Sequence, residues 1–193
     1  MKEKIRQALA SRTRLIIQDS KYRESAVLIP IYEKDGRCYI VFTKRTDHLA
    51  HHKGQISFPG GGRHQKDNDL QETALRESRE EIGLKEGDVE VLGVLDDAVT
   101  ETSHYRITPF VGLIPYPYRF VPDAYEVQDI FSFPIEDLMN KARFTIEDRV
   151  LGGKMVTVHI YEIDGKVIWG ATASILSRFF EIIKPLSGAH FNN

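Results

Sequence analysis

At 193 residues with a net charge of −2, the chain can bury one substantial core and carries no charge excess to select nucleic acid or another extended polyanion. Its single cysteine, Cys38, excludes an internal disulfide and any multi-cysteine metal site, which points to simple packing and a reducing, cytoplasmic setting. Met1 to Arg14 lacks the apolar stretch of an export signal and no run approaches the length of a membrane span, so neither secretion nor a membrane partner is expected.

In chain order, Lys2 to Ser11 is charged and helix-favouring, with Ile5, Ala8 and Leu9 on one side. Ser25 to Pro30 and Cys38 to Thr43 are β-like runs joined by the turn Glu33-Lys34-Asp35-Gly36, which predicts a hairpin. A loop rich in His and Gly, Arg45 to Gly62, holds the short strand-like piece Gln55 to Phe58. Asp69 to Ile82 has the strongest helical pattern, and Gly83 stands where a C-terminal cap belongs. Val89 to Leu95, Ile107 to Ile114 and Lys154 to Tyr161 read as strands, and Ala171 to Ile183 as a helix packing Ile175, Leu176, Phe179 and Ile183. The alternation implies one α/β domain, a mixed sheet flanked by helices, over residues 1–193: a helical extension to 24, a core over 25–183 and a tail over 184–193.

Chemistry becomes legible on the helix. At about 100° per residue, Glu77, Glu80 and Glu81 fall on one face, while Leu75, Ser78 and Ile82 form a neighbouring stripe that can pack into a core. Like charges at this spacing oppose helix formation by a few tenths of a kcal/mol, a cost that a bound divalent cation would reverse. Arg76 stands four residues before Glu80 and can steer it. Just upstream, Phe58-Pro59-Gly60-Gly61-Gly62 is a turn whose glycines can bring a carbonyl close to a cation.

Gly61-Gly62, the spacer through Leu75, and Arg76-Glu77-Ser78-Arg79-Glu80-Glu81-Ile82-Gly83-Leu84 together resemble the box of the Nudix hydrolases. The usual aliphatic after Arg-Glu is Ser78, and the isolated upstream glutamate of the box has no counterpart, since Asn68 stands in its place. Upstream, Val41-Phe42-Thr43-Lys44-Arg45-Thr46, then His52 and Gly54-Gln55-Ile56-Ser57 leading into Phe58-Pro59-Gly60-Gly61, are similar to the motif of the coenzyme A diphosphatase branch. There Ala50 replaces that motif's second arginine.

The resemblance implies an α/β/α sandwich that hydrolyses a phosphoanhydride with Mg²⁺ or Mn²⁺. It implies Glu77, Glu81 and Gly61 as metal ligands, Glu80 as ligand or base, and Arg76 as orienting residue. The expected substrate is a small nucleotide, coenzyme A or its acyl thioesters, cleaved to adenosine 3′,5′-bisphosphate and 4′-phosphopantetheine. ADP-ribose hydrolysis and a non-catalytic binding module are the alternatives. Glu126 is the first candidate for a base from outside the helix, and Glu101 the second. Arg45, His52, Phe58 and Gly60 are the expected substrate contacts. Tyr116, Tyr118 and Phe120 could form an aromatic wall or a packed loop, and Trp169 is expected in the core. The oligomeric state is left open, a homodimer included.

Overall fold

The computed structural model describes residues 2–48, 53–100, 103–151 and 153–184. In chain order the elements are α1 (Lys2–Ala10), β1 (Arg23–Lys34), β2 (Arg37–Arg45), β3 (Ile56–Ser57), β4 (Gly60–Gly62), α2 (Leu70–Ile82), β5 (Glu90–Val94), β6 (Ala98–Val99), β7 (Tyr105–Leu113), β8 (Val127–Pro134), α3 (Ile135–Leu138), β9 (Phe144–Leu151), β10 (Lys154–Ile163), β11 (Lys166–Trp169) and α4 (Gly170–Ile183).

The architecture is the expected one, a mixed sheet flanked by helices. Strand β1 is its centre. It runs parallel to β7 on one side, and on the other it pairs with β2 at its C-terminal end and with β4 at its N-terminal end. The hairpin β1–β2 turns at Asp35 (φ 52°) and Gly36 (φ 76°), two successive left-handed residues that match the twist of the flanking strands. Both faces of β1 are covered, which explains its near-continuous apolar run. Ala26 and Leu28 meet Ala74, Leu75 and Ile82 of α2, while Ile29 and Ile31 belong to the larger core beneath α1 and α4.

A second sheet, ordered β11-β10-β9, carries α4 on its β10 side, where Tyr161 meets Phe180 edge-on at 6.1 Å. Sequence reading catches β10 but neither β9 nor β11. The former carries Glu147, Asp148 and Arg149 on an exposed edge, and the latter is too short for an alternation to register. β8 escapes for a related reason: its burial is uneven along the strand, so no clean period of two results. The N-terminal residues are integrated into the core. Ile5 and Leu9 are buried there, Gly93 leaves room for Leu9, and Asp97, buried, accepts from the Ile17 N–H and pairs with Arg14. Cys38 is buried, and burial pushes its thiol up to about 11, consistent with packing.

Helix α2 is closed at both ends by the residues its sequence offers. Asp69 is extended (φ −148°) and its carboxylate accepts from the Glu72 N–H at 2.8 Å, while Glu72 reaches back to the Asn68 N–H at 2.7 Å. Gly83 takes the left-handed conformation (φ 67°) and donates to the Arg79 carbonyl at 3.0 Å. We expect Asp69→Ala to lower stability by about 1 kcal/mol, read as a fall in Tm of about 2–4 °C. An unchanged Tm would show that the helix start is held by packing alone.

Candidate active site

The glycine turn is positioned by steric exclusion. Between β1 and α2, the β4 backbone runs so close to both that side chains have no room. A Cβ on Gly60 (φ +152°) would lie 2.3 Å from the Ala26 carbonyl oxygen and 2.6 Å from the Val27 Cα. On Gly61 it would lie 2.6 Å from the Glu77 carboxylate carbon. The glycines therefore let a backbone segment lie directly against the acidic face of α2, and the Gly60 N–H donates to Glu81 Oε2 at 3.2 Å.

Arg76 gathers the rest. Its Nε and Nη2 donate to the two carboxylate oxygens of Asp67 at 2.9 and 3.0 Å, its Nη1 donates to Glu77 at 2.8 Å and Glu80 at 2.9 Å, and its Nη2 also reaches the Gly62 carbonyl at 3.1 Å. Asp67 is buried and further accepts from the Thr73 hydroxyl and the His64 N–H. The hydrogen bonds from Arg76 hold its carboxyl well below the usual carboxylate range. In the sequence Asp67 is one residue of the stretch Asp67-Asn68-Asp69 between the glycine turn and the helix, with no spacing that points to Arg76. Its role is set by the loop Gly62 to Asn68, which folds it back onto a guanidinium nine residues later. Ser78, on the neighbouring stripe, is fully buried and turns its hydroxyl to the Ala74 carbonyl at 2.7 Å, so the missing aliphatic leaves no unpaired group.

The three glutamates differ in environment. Glu80 has half its side chain in solvent, Glu77 is largely covered and Glu81 is 4% exposed. Burial pushes the Glu81 carboxyl up to about 8, against the opposing effects of Arg45 and the Gly60 N–H, and burial raises Glu77 as well against Arg76. Arg45 stands between two acids, with Nη1 3.5 Å from Glu81 and Nη2 3.8 Å from Glu126. The strand end thus places Arg45 at the acidic face, and the turn before β8 brings Glu126 to it. His52 and Glu101 lie outside the described residues.

Beside this cluster opens a cleft of about 510 Å³. Its lining includes Gly60, Gly61 and Gly62, with Arg45. The walls come from both sheets: Val27, Val99 and Ile107 from the main one, Val156 and Val158 from β10, and Trp169 and Ile175 at and within α4. Trp169, expected in the core, is half-buried and belongs to neither core cluster; it lines the cleft instead, because β11 ends there. Phe58 borders the cleft, but its ring is 3% exposed and stacks on Phe42 at 5.1 Å, which makes it chiefly a core group. Tyr116, Tyr118 and Phe120 lie elsewhere: Tyr116 stacks on Tyr32, and Tyr118 packs on Phe120 while donating to Asp88, so they form the packed loop. Of the loop histidines, His48 packs against Tyr125.

The family model described as NUDIX domain matches residues 21–151. The chain belongs to the Nudix family. It is 37% identical over 154 residues to the uncharacterized Nudix hydrolase NudL of Yersinia enterocolitica, covering 80% of this chain and 78% of that protein. Among solved structures it is similar to a C. elegans Ap4A hydrolase binary complex, with a TM-score of 0.57, 13% identity and coverage of 86% and 98%. It is also similar to the M. smegmatis Nudix hydrolase RenU, with a TM-score of 0.56, 14% identity and 89% of each chain covered. At such identities the likeness concerns the fold. As a Nudix hydrolase the protein acts on diphosphate bonds of nucleoside-diphosphate derivatives, and the family generally requires Mg²⁺ or Mn²⁺.

The residues present fit such an ion. Glu77 and Glu81 are hard oxygen donors held against a backbone stripped of side chains, and a buried carboxylate as costly as Glu81 is stabilised by a cation. Among the described residues no three ligating side chains close into a cage. The donor set is a half-shell, which suits a cation that completes its coordination with water and substrate oxygens.

The Glu81 shift gives a signed expectation for the metal-free protein. A carboxyl whose folded pKa is raised from 4.5 to about 8 contributes stability fully below its unfolded value and loses it as pH rises through the folded one. In chelator, Tm should therefore fall between about pH 5 and pH 8, and Glu81→Gln should reduce that slope, leaving the contribution of the likewise raised Glu77. The depressed Asp67 acts only in acid and does not mask the effect. Parallel slopes for the two proteins would remove Glu81 as its source.

Proposed function

We propose that this Nudix hydrolase cleaves the diphosphate of coenzyme A or acyl-coenzyme A, giving adenosine 3′,5′-bisphosphate and the (acyl-)4′-phosphopantetheine. The observation that carries the reading is the lining of the cleft: the backbone of Gly60 to Gly62 and Arg45 share it with Val156 and Val158 of β10 and Trp169 and Ile175 beside α4, among which Thr157, Thr172 and Ser174 add hydroxyls. A diphosphate with a long, largely uncharged arm satisfies both sets of groups. The stretch from Thr43 to Gly61, similar to the coenzyme A diphosphatase motif, supports the same substrate.

In this proposal Glu77, Glu81 and the Gly61 carbonyl hold Mg²⁺ or Mn²⁺, with Glu80 as a further ligand or base. When bound, the cation supplies neutralisation of phosphate oxygens and a lowered pKa for the attacking water. The chain's own groups do the positioning. Arg76 fixes Glu77 and Glu80 by hydrogen bonds, and Asp67 fixes Arg76. Glu126, half-exposed beside Arg45, accepts the proton of the water at its carboxylate. Arg45 lies at the acidic face, so we assign it to the diphosphate and not to a remote phosphate on the ribose.

With Mg²⁺ present, the protein should release both products from coenzyme A and fall silent in chelator. Glu81→Gln should lower turnover by about a hundredfold or more at preserved fold. No turnover of coenzyme A beside rapid cleavage of ADP-ribose would sink the substrate assignment alone. Binding without turnover of any diphosphate tested would instead favour a non-catalytic module.

A second measurement concerns Arg45. Arg45→Ala should impair coenzyme A and dephospho-coenzyme A by the same factor, since both carry the diphosphate. A loss confined to coenzyme A would place Arg45 on the 3′-phosphate.

A further inference from the structure

Strand β9 is an edge of the second sheet, and its sequence is self-complementary. Leu151 pairs with Lys154 across a two-residue connection, so Glu147 and Arg149 direct their backbone groups to β10 while Ile146, Asp148 and Val150 direct theirs to the free edge. Among the described residues no strand pairs with this side of β9, and an open edge of this length is a template for another strand.

The side chains favour one occupant. On one face Ile146 and Val150 are exposed at 56% and 65%, and Met155, the cross-strand neighbour of Val150, at 67%. On the other face Arg149 donates to Glu147 through Nε and Nη2 at 2.9 and 2.8 Å. Turned end for end about Asp148, the strand places Ile146 opposite Val150 and Glu147 opposite Arg149, twice each.

We propose that β9 pairs antiparallel with β9 of a second copy, on a two-fold axis through Asp148, forming a homodimer in which the two small sheets join edge to edge. Each Arg149 then lies between its own Glu147 and Glu147 of the partner subunit, an alternating quartet at the close, non-hydrogen-bonded positions of the ladder. Sliding one strand by two residues either way, which moves the axis by one, sets Glu147 against Glu147 or Arg149 against Arg149, and a slide of one residue would turn the charged pairs onto opposite faces. Charges on an edge strand usually repel a second copy; here both signs occur at the spacing that attracts one. The single like-charged pair is Asp148 with its symmetry mate, and each already accepts from the Thr157 hydroxyl at 2.9 Å. The pairing would also brace β10, whose Val156 and Val158 form a wall of the cleft.

Light scattering and sedimentation of the full chain test this. A concentration-dependent dimer is expected. Arg149→Glu should weaken it about tenfold or more by setting glutamates opposite glutamates, and the exchange Glu147→Arg with Arg149→Glu should restore it. Asp148→Cys should cross-link under mild oxidation, because residues on the axis face each other at about 5.5 Å between Cα atoms, within disulfide range. The native Cys38 is buried, so the parent protein should not cross-link. A monomer at every concentration overturns the proposal. So does a dimer indifferent to Arg149→Glu, which would place the contact on another face.

Discussion

The arrangement rests on one steric constraint, the passage of Gly60 and Gly61 between the backbone of β1 and the carboxylates of α2. No side chain larger than hydrogen fits at Gly60, where a Cβ would lie 2.3 Å from the Ala26 carbonyl oxygen; at Gly61 a Cβ would lie 2.6 Å from the Glu77 carboxylate and push it from its place. Because the turn lies there, backbone polar groups and two glutamates share a few ångströms of space, one of the glutamates buried. That proximity is what allows a half-shell of oxygen donors to exist without a dedicated cage.

Such proximity is electrostatically expensive, and the fold offsets it with arginines. Arg76 spans Asp67, Glu77, Glu80 and the Gly62 carbonyl, so the acidic side chains are locked in place by charge-assisted bonds. Glu81 receives less: the Gly60 N–H and a distant Arg45 do not balance its burial. The uneven compensation separates the glutamates by environment, leaving Glu80 with solvent access and Glu81 as the group with most to gain from a cation.

The second sheet supplies what helix α2 cannot. Acidic residues and glycines define a charged end but give no place for the rest of a nucleotide derivative. β10 and the start of α4 add Val156, Val158, Trp169 and Ile175 to the lining of the adjoining cleft, with Thr157, Thr172 and Ser174 beside them. The acidic groups and the apolar cleft walls thus come from different elements of the fold.

The local features were legible because they depend on spacing alone. Asp69 and Gly83 announce the ends of α2, the i, i+3, i+4 spacing puts Glu77, Glu80 and Glu81 on one face, and Asp35-Gly36 marks the hairpin. The family resemblance followed from the same short stretch. What the chain order hides is every relation between distant segments. Spacing alone does not say that Asp67 folds back onto Arg76, which the loop Gly62 to Asn68 decides, that Arg45 and Glu126 meet beside Glu81, which the pairing of β8 with β2 decides, or that Trp169, at the end of the short β11, borders a cleft. Sequence by itself determined which side chains could do the chemistry and on which helix face they stand, because helical periodicity is a local property. Tertiary structure alone decided which of them is buried, which arginine holds which acid and what lines the cleft, because burial and long-range pairing are set by how the two sheets pack.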